Sequence, residues 1–246
     1  MSKTTKFFYL KGMKSPDSHF YCSTIVKGRT TLDENESSHA IRVCRATEGD
    51  TLQLCDGLGH FANATIVHAD PKACEVEIPE VITASTERPK VSLGIACLKD
   101  DALEEVVFHA AQTEIDKIIF LRTDFSQEPK NSDLHKTVHR AELKSLVSLK
   151  QSKKPWLTQI EGPITLDEWL KKYTGDIILC DEKGSPLPES VENETMLLIG
   201  PEGGFSPREI ALITSREGKT RLLGLGKTRL RARTAAIIAL GKIVCT

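Results

Sequence analysis

The stretch best equipped for chemistry runs Leu198-Ile199-Gly200-Pro201-Glu202-Gly203-Gly204-Phe205-Ser206-Pro207-Arg208-Glu209. A short apolar run leads straight into three glycines within five residues. Glycine permits positive φ and puts no side chain in the way, so this backbone can press against a flat ligand and offer it N–H and C=O groups. The residues that follow have the spacing of a helix start. Ser206 is placed as N-cap, Pro207 as the first helical residue, and Glu209 as the third, which closes a capping box. The glycine loop is therefore expected to be held between a strand end and a capped helix, where open α/β sheets bind ligands.

A second stretch, Leu222-Leu223-Gly224-Leu225-Gly226-Lys227-Thr228-Arg229-Leu230-Arg231-Ala232-Arg233-Thr234-Ala235-Ala236, repeats the plan of strand, glycine loop and helix. Gly226-Lys227-Thr228 has the ending of a nucleotide-triphosphate loop. That motif needs a glycine five positions earlier, where this chain has Arg221. Around this loop the charge is one-sided. Arg216, Lys219, Arg221, Lys227, Arg229, Arg231 and Arg233 face only Glu217. The whole chain carries a formal charge of −1, so any attraction for a polyanion has to come from such a local patch. Lys150, Lys153 and Lys154 form a second, smaller basic cluster.

The elements that would position these residues can be read from periodicity. Residues 20–26, 51–56, 61–68 and 74–81 read as short strands, with Asp56-Gly57-Leu58-Gly59 as a hairpin turn between two of them. One helix is expected at 34–46, with Ala40, Val43 and Cys44 on its apolar side. Several strands and one helix predict a small barrel. Residues 83–90 are polar and end on Pro89-Lys90, which reads as a linker. Beyond it strands (91–98, 117–121, 176–180, 195–199, 220–223) alternate with helices (101–115, 131–150, 165–173, 206–217, 230–244). That alternation predicts an α/β domain with a largely parallel sheet and helices on both faces.

Composition sets the remaining bounds. The 246 residues suffice for one large domain, or for a small one beside a medium one. No apolar run approaches the roughly 20 residues of a membrane span, and Phe7–Leu10 is too short for a secretion signal; a cytoplasmic protein is expected. The seven cysteines contain no C-x-x-C pair, which favours buried reduced thiols over a metal site. His135 and His139 share a helix face without a third candidate ligand.

The motif G-P-E-G-G-F-S-x-x-E, followed some twenty residues later by L-G…L-R-x-x-T-A, resembles the RsmE family of 16S ribosomal RNA uridine-N3 methyltransferases, of the SPOUT superfamily. The second motif is present from Leu223-Gly224 through Leu230-Arg231 to Thr234-Ala235, with one residue more than the usual spacing between Gly224 and Leu230. In the N-terminal third, His39-Ala40-Ile41-Arg42-Val43-Cys44-Arg45, Gly49-Asp50 and Leu54-Cys55-Asp56-Gly57 are similar to the family's H-x-x-x-V-L-R…G-D…L-F-D-G. Gln112-Thr113-Glu114 and Lys150-Gln151-Ser152-Lys153-Lys154 fall in the expected order.

The resemblance implies an α/β protein with a C-terminal SPOUT domain, with a parallel sheet and a deep trefoil knot, and a small N-terminal PUA-like β-barrel. The expected bounds are 1–82 for the barrel, an RNA-binding module, 83–90 for the linker and 91–246 for the methyltransferase domain. It implies S-adenosyl-L-methionine held against Gly200, Pro201, Glu202, Gly203 and Gly204 and against Leu223, Gly224, Leu225 and Leu230. Arg231 is implied as the catalytic residue that stabilises a uridine anion. His39, Arg42, Arg45, Lys154, Lys227, Arg229 and Arg233 are implied as RNA contacts. The partners implied are 16S rRNA or the small ribosomal subunit and a second copy of the chain, with no membrane and no metal. Alternatives within the same fold are methylation of another RNA and RNA binding without turnover. The chain departs from the family at Ala232-Arg233, where Thr-Glu is usual, and at Lys99-Asp100-Asp101, where a basic run is usual. Lys154 stands where relatives often have arginine.

Overall fold

A computed structural model describes residues 19–85, 87, 90–99, 101–126, 134–186, 191 and 193–244. The expected features at Phe7–Leu10, Asp100, Cys245, part of the 83–90 linker and the helix start at 131–133 lie outside the described residues, as does the side chain of His135. The described chain forms two compact units. One takes the residues up to Glu87 together with Leu149–Leu157; the other takes the rest.

In the first unit, β1 (Phe20–Tyr21), β2 (Gly28–Thr31), β3 (Thr51–Cys55), β4 (His60–His68) and β5 (Glu75–Ile78) hydrogen-bond in the order β1-β3-β4-β5-β2, and β6 (Ile82–Thr83) pairs with β4. The hairpin expected at residues 56–59 joins the antiparallel β3 and β4. Asp56 closes it by accepting from the N–H groups of Leu58 (2.7 Å) and His60 (3.0 Å). Inward-facing Leu52, Leu54, Ile66, Val76 and Ile78 are almost completely buried around Phe20. The helix expected at 34–46 is shorter and irregular. An α-helical turn, α1 (Glu34–Ser38), capped by Asp33, runs into a π-helical turn at His39–Val43. Arg45, at φ 56°, ends it, a backbone region that costs a side-chain-bearing residue energy.

Lys150 and Glu36 form a largely buried ion pair within this unit, with side chains 16% and 6% exposed. Leu157 N–H also donates to the Gly57 carbonyl (2.9 Å) and Gly59 N–H to that of Pro155 (3.0 Å). Residues 149–157, far along the chain, are therefore tied to the β3–β4 turn.

The second unit is a parallel sheet of β7 (Val91–Ala96), β8 (Lys117–Arg122), β9 (Gln159–Thr165), β10 (Asp176–Ser185), β11 (Thr195–Ile199) and β12 (Thr220–Leu223), in the order β12-β10-β11-β7-β8-β9. Buried strands read as near-continuous apolar runs because both faces are covered, and alternate residues sort onto the two faces. Leu93, Ile95, Leu197 and Ile199 pack with α2 (Ala102–Ala110) and α6 (Ala232–Val244), through Val106, Val107, Ala236, Ala239 and Leu240. Ile119, Leu121, Leu179, Met196 and Leu198 pack on the opposite face with Leu166 and Trp169 of α4 (Leu166–Leu170) and Ile213 of α5 (Pro207–Ser215). Helix α3 (Leu134–Ser152) belongs to this unit up to Ser148, and its residues from Leu149 on belong to the first. No helix of the described residues is long and apolar enough to cross a membrane.

Two features of this sheet were not read from periodicity. Strand β9 is an edge strand broken by Gly162-Pro163, and β10 runs on through the polar residues 181–185. That extension brings Ser185 beside Leu223 after a register shift.

Candidate active site

The carboxyl ends of β10, β11 and β12 open onto one cleft of about 550 Å³, lined by the loops that follow β11 and β12. Gly200, Pro201, Glu202, Gly203 and Gly204 come from the first loop. Leu223, Leu225, Lys227, Arg229 and Leu230 come from the second. Cys180 and Asp181 close the third side. The cleft thus brings together nearly all the residues expected to hold a cofactor. Gly224 is buried behind it rather than lining it.

The first loop is fixed at both ends. Ile199 is buried in the sheet, and α5 begins with the capping box read from the sequence. Ser206 Oγ accepts from the Glu209 N–H (3.2 Å), and Glu209 Oε2 accepts from the Ser206 N–H (2.8 Å). Glu209 is fully buried, and its other oxygen takes the N–H of Asp124 (2.8 Å). Gly204 adopts φ 74° with open space around it, so glycine serves there for its backbone freedom.

The second loop is held by close backbone approach. A Cβ on Gly184 would lie 2.4 Å from the nitrogen of Gly224, and one on Gly224 would lie 2.5 Å from the oxygen of Gly184. Gly224 N–H donates to the Ser185 carbonyl (2.9 Å). Arg229 Nη2 donates to the carbonyl of Glu202 (2.8 Å), which ties the two loops together. Gly184 and Asp124 were not among the residues singled out in the sequence. The string Asp181-Glu182-Lys183-Gly184-Ser185 reads as a surface turn, and Asp124 as one polar residue after a strand.

Arg231 stands apart from this cleft. Its carbonyl accepts the N–H of Ala235 (2.9 Å), which places it at the start of α6. Its exposed side chain lines an adjoining cleft of about 400 Å³ with Leu98, Lys99, Asp101, Ala102, Glu202 and Arg233. Glu202 lines both clefts. Among the described residues the Arg231 guanidinium takes no hydrogen bond, whereas Arg233 Nη1 pairs with Glu105 of α2 at 2.6 Å. That pairing holds the Arg233 guanidinium even further above its ordinary pKa. A bare guanidinium at a helix start, where the dipole is positive, leaves an anion-binding position open.

The other expected RNA contacts divide between the units. Lys227 and Arg229 are exposed at the large cleft. In the first unit Arg42 and Arg45 are exposed, and His39 is half-buried with its ring 5.4 Å from that of Phe20. Lys154 is buried, 7% exposed. Burial pushes the Cys180 thiol up to about 12, so at neutral pH it lines the cleft as an uncharged wall and not as a nucleophile.

The cleft has flat apolar walls in Ile199, Leu223, Leu225 and Leu230, main-chain groups of two glycine loops, and charges of both signs in Asp181, Glu202, Lys227 and Arg229. This set suits a nucleoside that carries an amino-acid tail. The base needs a flat apolar slot, the ribose needs main-chain acceptors, and the zwitterionic tail needs both charges.

Residues 86–244 match the family described as RNA methyltransferase domain, and residues 32–79 match the RNA methyltransferase PUA domain. Ribosomal RNA small subunit methyltransferase E of Rickettsia conorii is 28% identical over 82% of this chain and 83% of its own. The protein of the same name from Helicobacter pylori is 30% identical over 72% of this chain and 76% of its own. Among solved structures, a methyltransferase from Legionella pneumophila with bound SAM superposes with a TM-score of 0.80 at 25% identity, over 94% of this chain and 96% of that one. The two domain matches and these likenesses agree, and the chain belongs to the family of ribosomal RNA small subunit methyltransferases E.

Proposed function

We propose that the protein methylates N3 of a specific uridine in the 16S ribosomal RNA of the small subunit, using S-adenosyl-L-methionine. The observation that carries this reading is the pair of adjoining clefts. One is built of two glycine loops and suits the cofactor; the other presents Arg231, which has no hydrogen-bond partner among the described residues; Glu202 lines both. When bound, the cofactor supplies a sulfonium methyl group as electrophile. Gly200–Gly204 and Leu223–Leu230 would hold the cofactor, and fixing both reactants in one orientation is what would favour in-line attack by the nitrogen. Uridine N3 carries an imide proton, and its removal leaves an anion shared over N3, O2 and O4. Arg231 stabilises that anion with two coplanar N–H donors. Glu202, which lines both clefts, is the residue proposed to accept the proton.

The matched PUA region supports an RNA-docking role for residues 1–82, with His39, Arg42 and Arg45 on the RNA side and the strands closed into a barrel. Lys227, Arg229 and Arg233 complete the proposed RNA contacts; Lys154, only 7% exposed, is not among them, because burial keeps it from a phosphate. Residues 91–246 form the SPOUT domain in this reading. Its strand order supports a knotted end: β11 follows β10 in sequence yet lies between β10 and β7. The half-buried Ile237 and the exposed Ile238 of α6, beside Val106 and His109 of α2, line a shallow groove of about 290 Å³, which supports a second copy of the chain as partner. The setting is the cytosol, where ribosomal subunits are assembled.

Methyl transfer from labelled cofactor to small subunits lacking N3-methyluridine tests this reading, with wild type beside Arg231→Ala. The expected result is transfer by wild type and a loss of about 10²-fold or more in kcat for the variant, with cofactor affinity unchanged. A wild-type protein that binds the cofactor but modifies no small-subunit RNA would refute it.

A further inference from the structure

The turn after β8 meets the start of α5, directly beyond the first glycine loop. Thr123 N–H donates to Ser126 Oγ (2.9 Å), which closes the turn. Asp124, at its tip, meets the start of α5 through both main chain and side chain. Its N–H donates to Glu209 Oε1 (2.8 Å). Its carboxylate accepts from Ser206 Oγ, and from Arg208 through Nη2 (2.8 Å) and Nε (3.2 Å). Arg208 Nη1 reaches on to Asp167 of α4 (2.7 Å). The next residue, Phe125, packs against Gly203: a Cβ on that glycine would lie 3.4 Å from the Phe125 Cβ.

Two physical points single out Asp124 within this set. Ser206 Oγ accepts from Glu209 N–H while donating to Asp124, so its hydroxyl has no free rotor. The carboxylate also sits at the positive end of the α5 dipole and takes both donors of a guanidinium fork. A surface ion pair alone contributes little. Here the pair is joined to a buried capping box that begins two residues after Gly204.

We propose that Asp124 is a positioning residue for the cofactor loop: acting through Ser206 and Arg208, it holds Gly200–Gly204 in the ligand-ready conformation before the cofactor arrives. Preorganisation of this kind acts on affinity by removing an ordering cost from binding. The inference rests on the reading of that loop as the S-adenosylmethionine site.

The test is calorimetric titration of the full-length protein with S-adenosylmethionine, with no RNA present, for wild type, Asp124→Ala and Asp124→Glu. Steady-state kinetics on small subunits and thermal melting accompany it. The expected result for Asp124→Ala is a cofactor Kd raised about tenfold, an unchanged KM for the subunit, and recovery of most of the loss by Asp124→Glu. Asp124→Asn keeps an acceptor for Ser206 and loses the charge; it carries the test if the alanine variant does not fold, with a Kd raised about threefold. A folded variant that melts lower but binds the cofactor within twofold of wild type overturns the proposal. So does a rise confined to the subunit KM, which would make the turn an RNA contact. Wild type that binds the cofactor but methylates no 16S RNA sinks the functional reading and leaves this inference standing. Wild type that fails to bind the cofactor sinks both.

Discussion

Replacing Gly184 with alanine is expected to damage the site more than any comparable glycine change in its loops. The backbone of Gly184 is not in the left-handed region, so alanine meets no local conformational penalty there. What it meets is main chain. The added Cβ would lie 2.4 Å from both the nitrogen of Gly224 and the carbonyl carbon of Leu223, and 2.5 Å from the nitrogen of Leu223. No flexible side chain can give way, so β10 and the second loop must part. Overpacking of this kind costs about 1–3 kcal/mol. The separation also strains the 2.9 Å bond from Gly224 N–H to the Ser185 carbonyl, worth about 1 kcal/mol. The sum is about 2–4 kcal/mol. Urea unfolding should show the midpoint lowered accordingly with an unchanged slope, and cofactor titration should show at least tenfold weaker binding. Gly204→Ala is the control. That residue has φ 74° and open space, so it should cost only about 1 kcal/mol of backbone strain. If Gly184→Ala unfolds at the wild-type urea concentration and binds the cofactor normally, the close approach of β10 to the second loop does not hold the site.

Two further predictions concern the first unit. Lys150→Ala leaves the carboxylate of Glu36 buried without its cation, which should destabilise this unit by about 3–5 kcal/mol; the double variant Glu36→Gln/Lys150→Met should recover most of that in urea unfolding, and equal losses in both variants would refute the pairing. His19 is buried, its Nδ1 has no partner among the described residues, and burial, with Lys153 nearby, lowers its pKa from 6.5 to about 4. The unfolded chain then binds a proton below about 6.5 that the folded one refuses until about 4, so stability is full above that window and lost as pH falls through it. At ~1.4 kcal/mol per unit the limit is about 3 kcal/mol. His19→Gln should flatten the dependence of Tm on pH between 7 and 4.5, and an unchanged slope would rule out His19 as its source.

The parts of the site legible in the sequence are those encoded by local rules. The three glycines after an apolar run, and Ser206-Pro207-Arg208-Glu209 as a helix start, both follow from the preferences of neighbouring residues. The structure places a loop and a capping box there. The buried strands β7, β8 and β11 were legible for a similar reason, since an apolar run flanked by turn residues leaves few alternatives. What escaped is held by partners distant in sequence. Residues 181–185 are polar and form strand only because β12 lies alongside. Gly162-Pro163 reads as a break, but at a sheet edge proline need not donate to the ladder. Residues 149–157 belong with a unit that otherwise ends near residue 87, and no periodicity can announce that.

The same division explains why the two sites differ in how they could be found. A cofactor cleft made of main chain has to write itself into the sequence as glycines, because only a missing Cβ lets backbone reach a ligand. The groups that tune it need no such signature. Asp124 lies 82 residues from the Ser206 hydroxyl it accepts from, and Arg233 lies 128 residues from its partner Glu105. Each is an ordinary charged residue until the sheet closes. Arg233 shows what this means for reading departures from a family pattern. A cation where the family pattern leads one to expect a carboxylate looks in sequence like a lost catalytic helper. In the fold it pairs with Glu105 on the neighbouring helix, while the guanidinium of Arg231, two residues earlier, makes no hydrogen bond among the described residues and lines the smaller cleft.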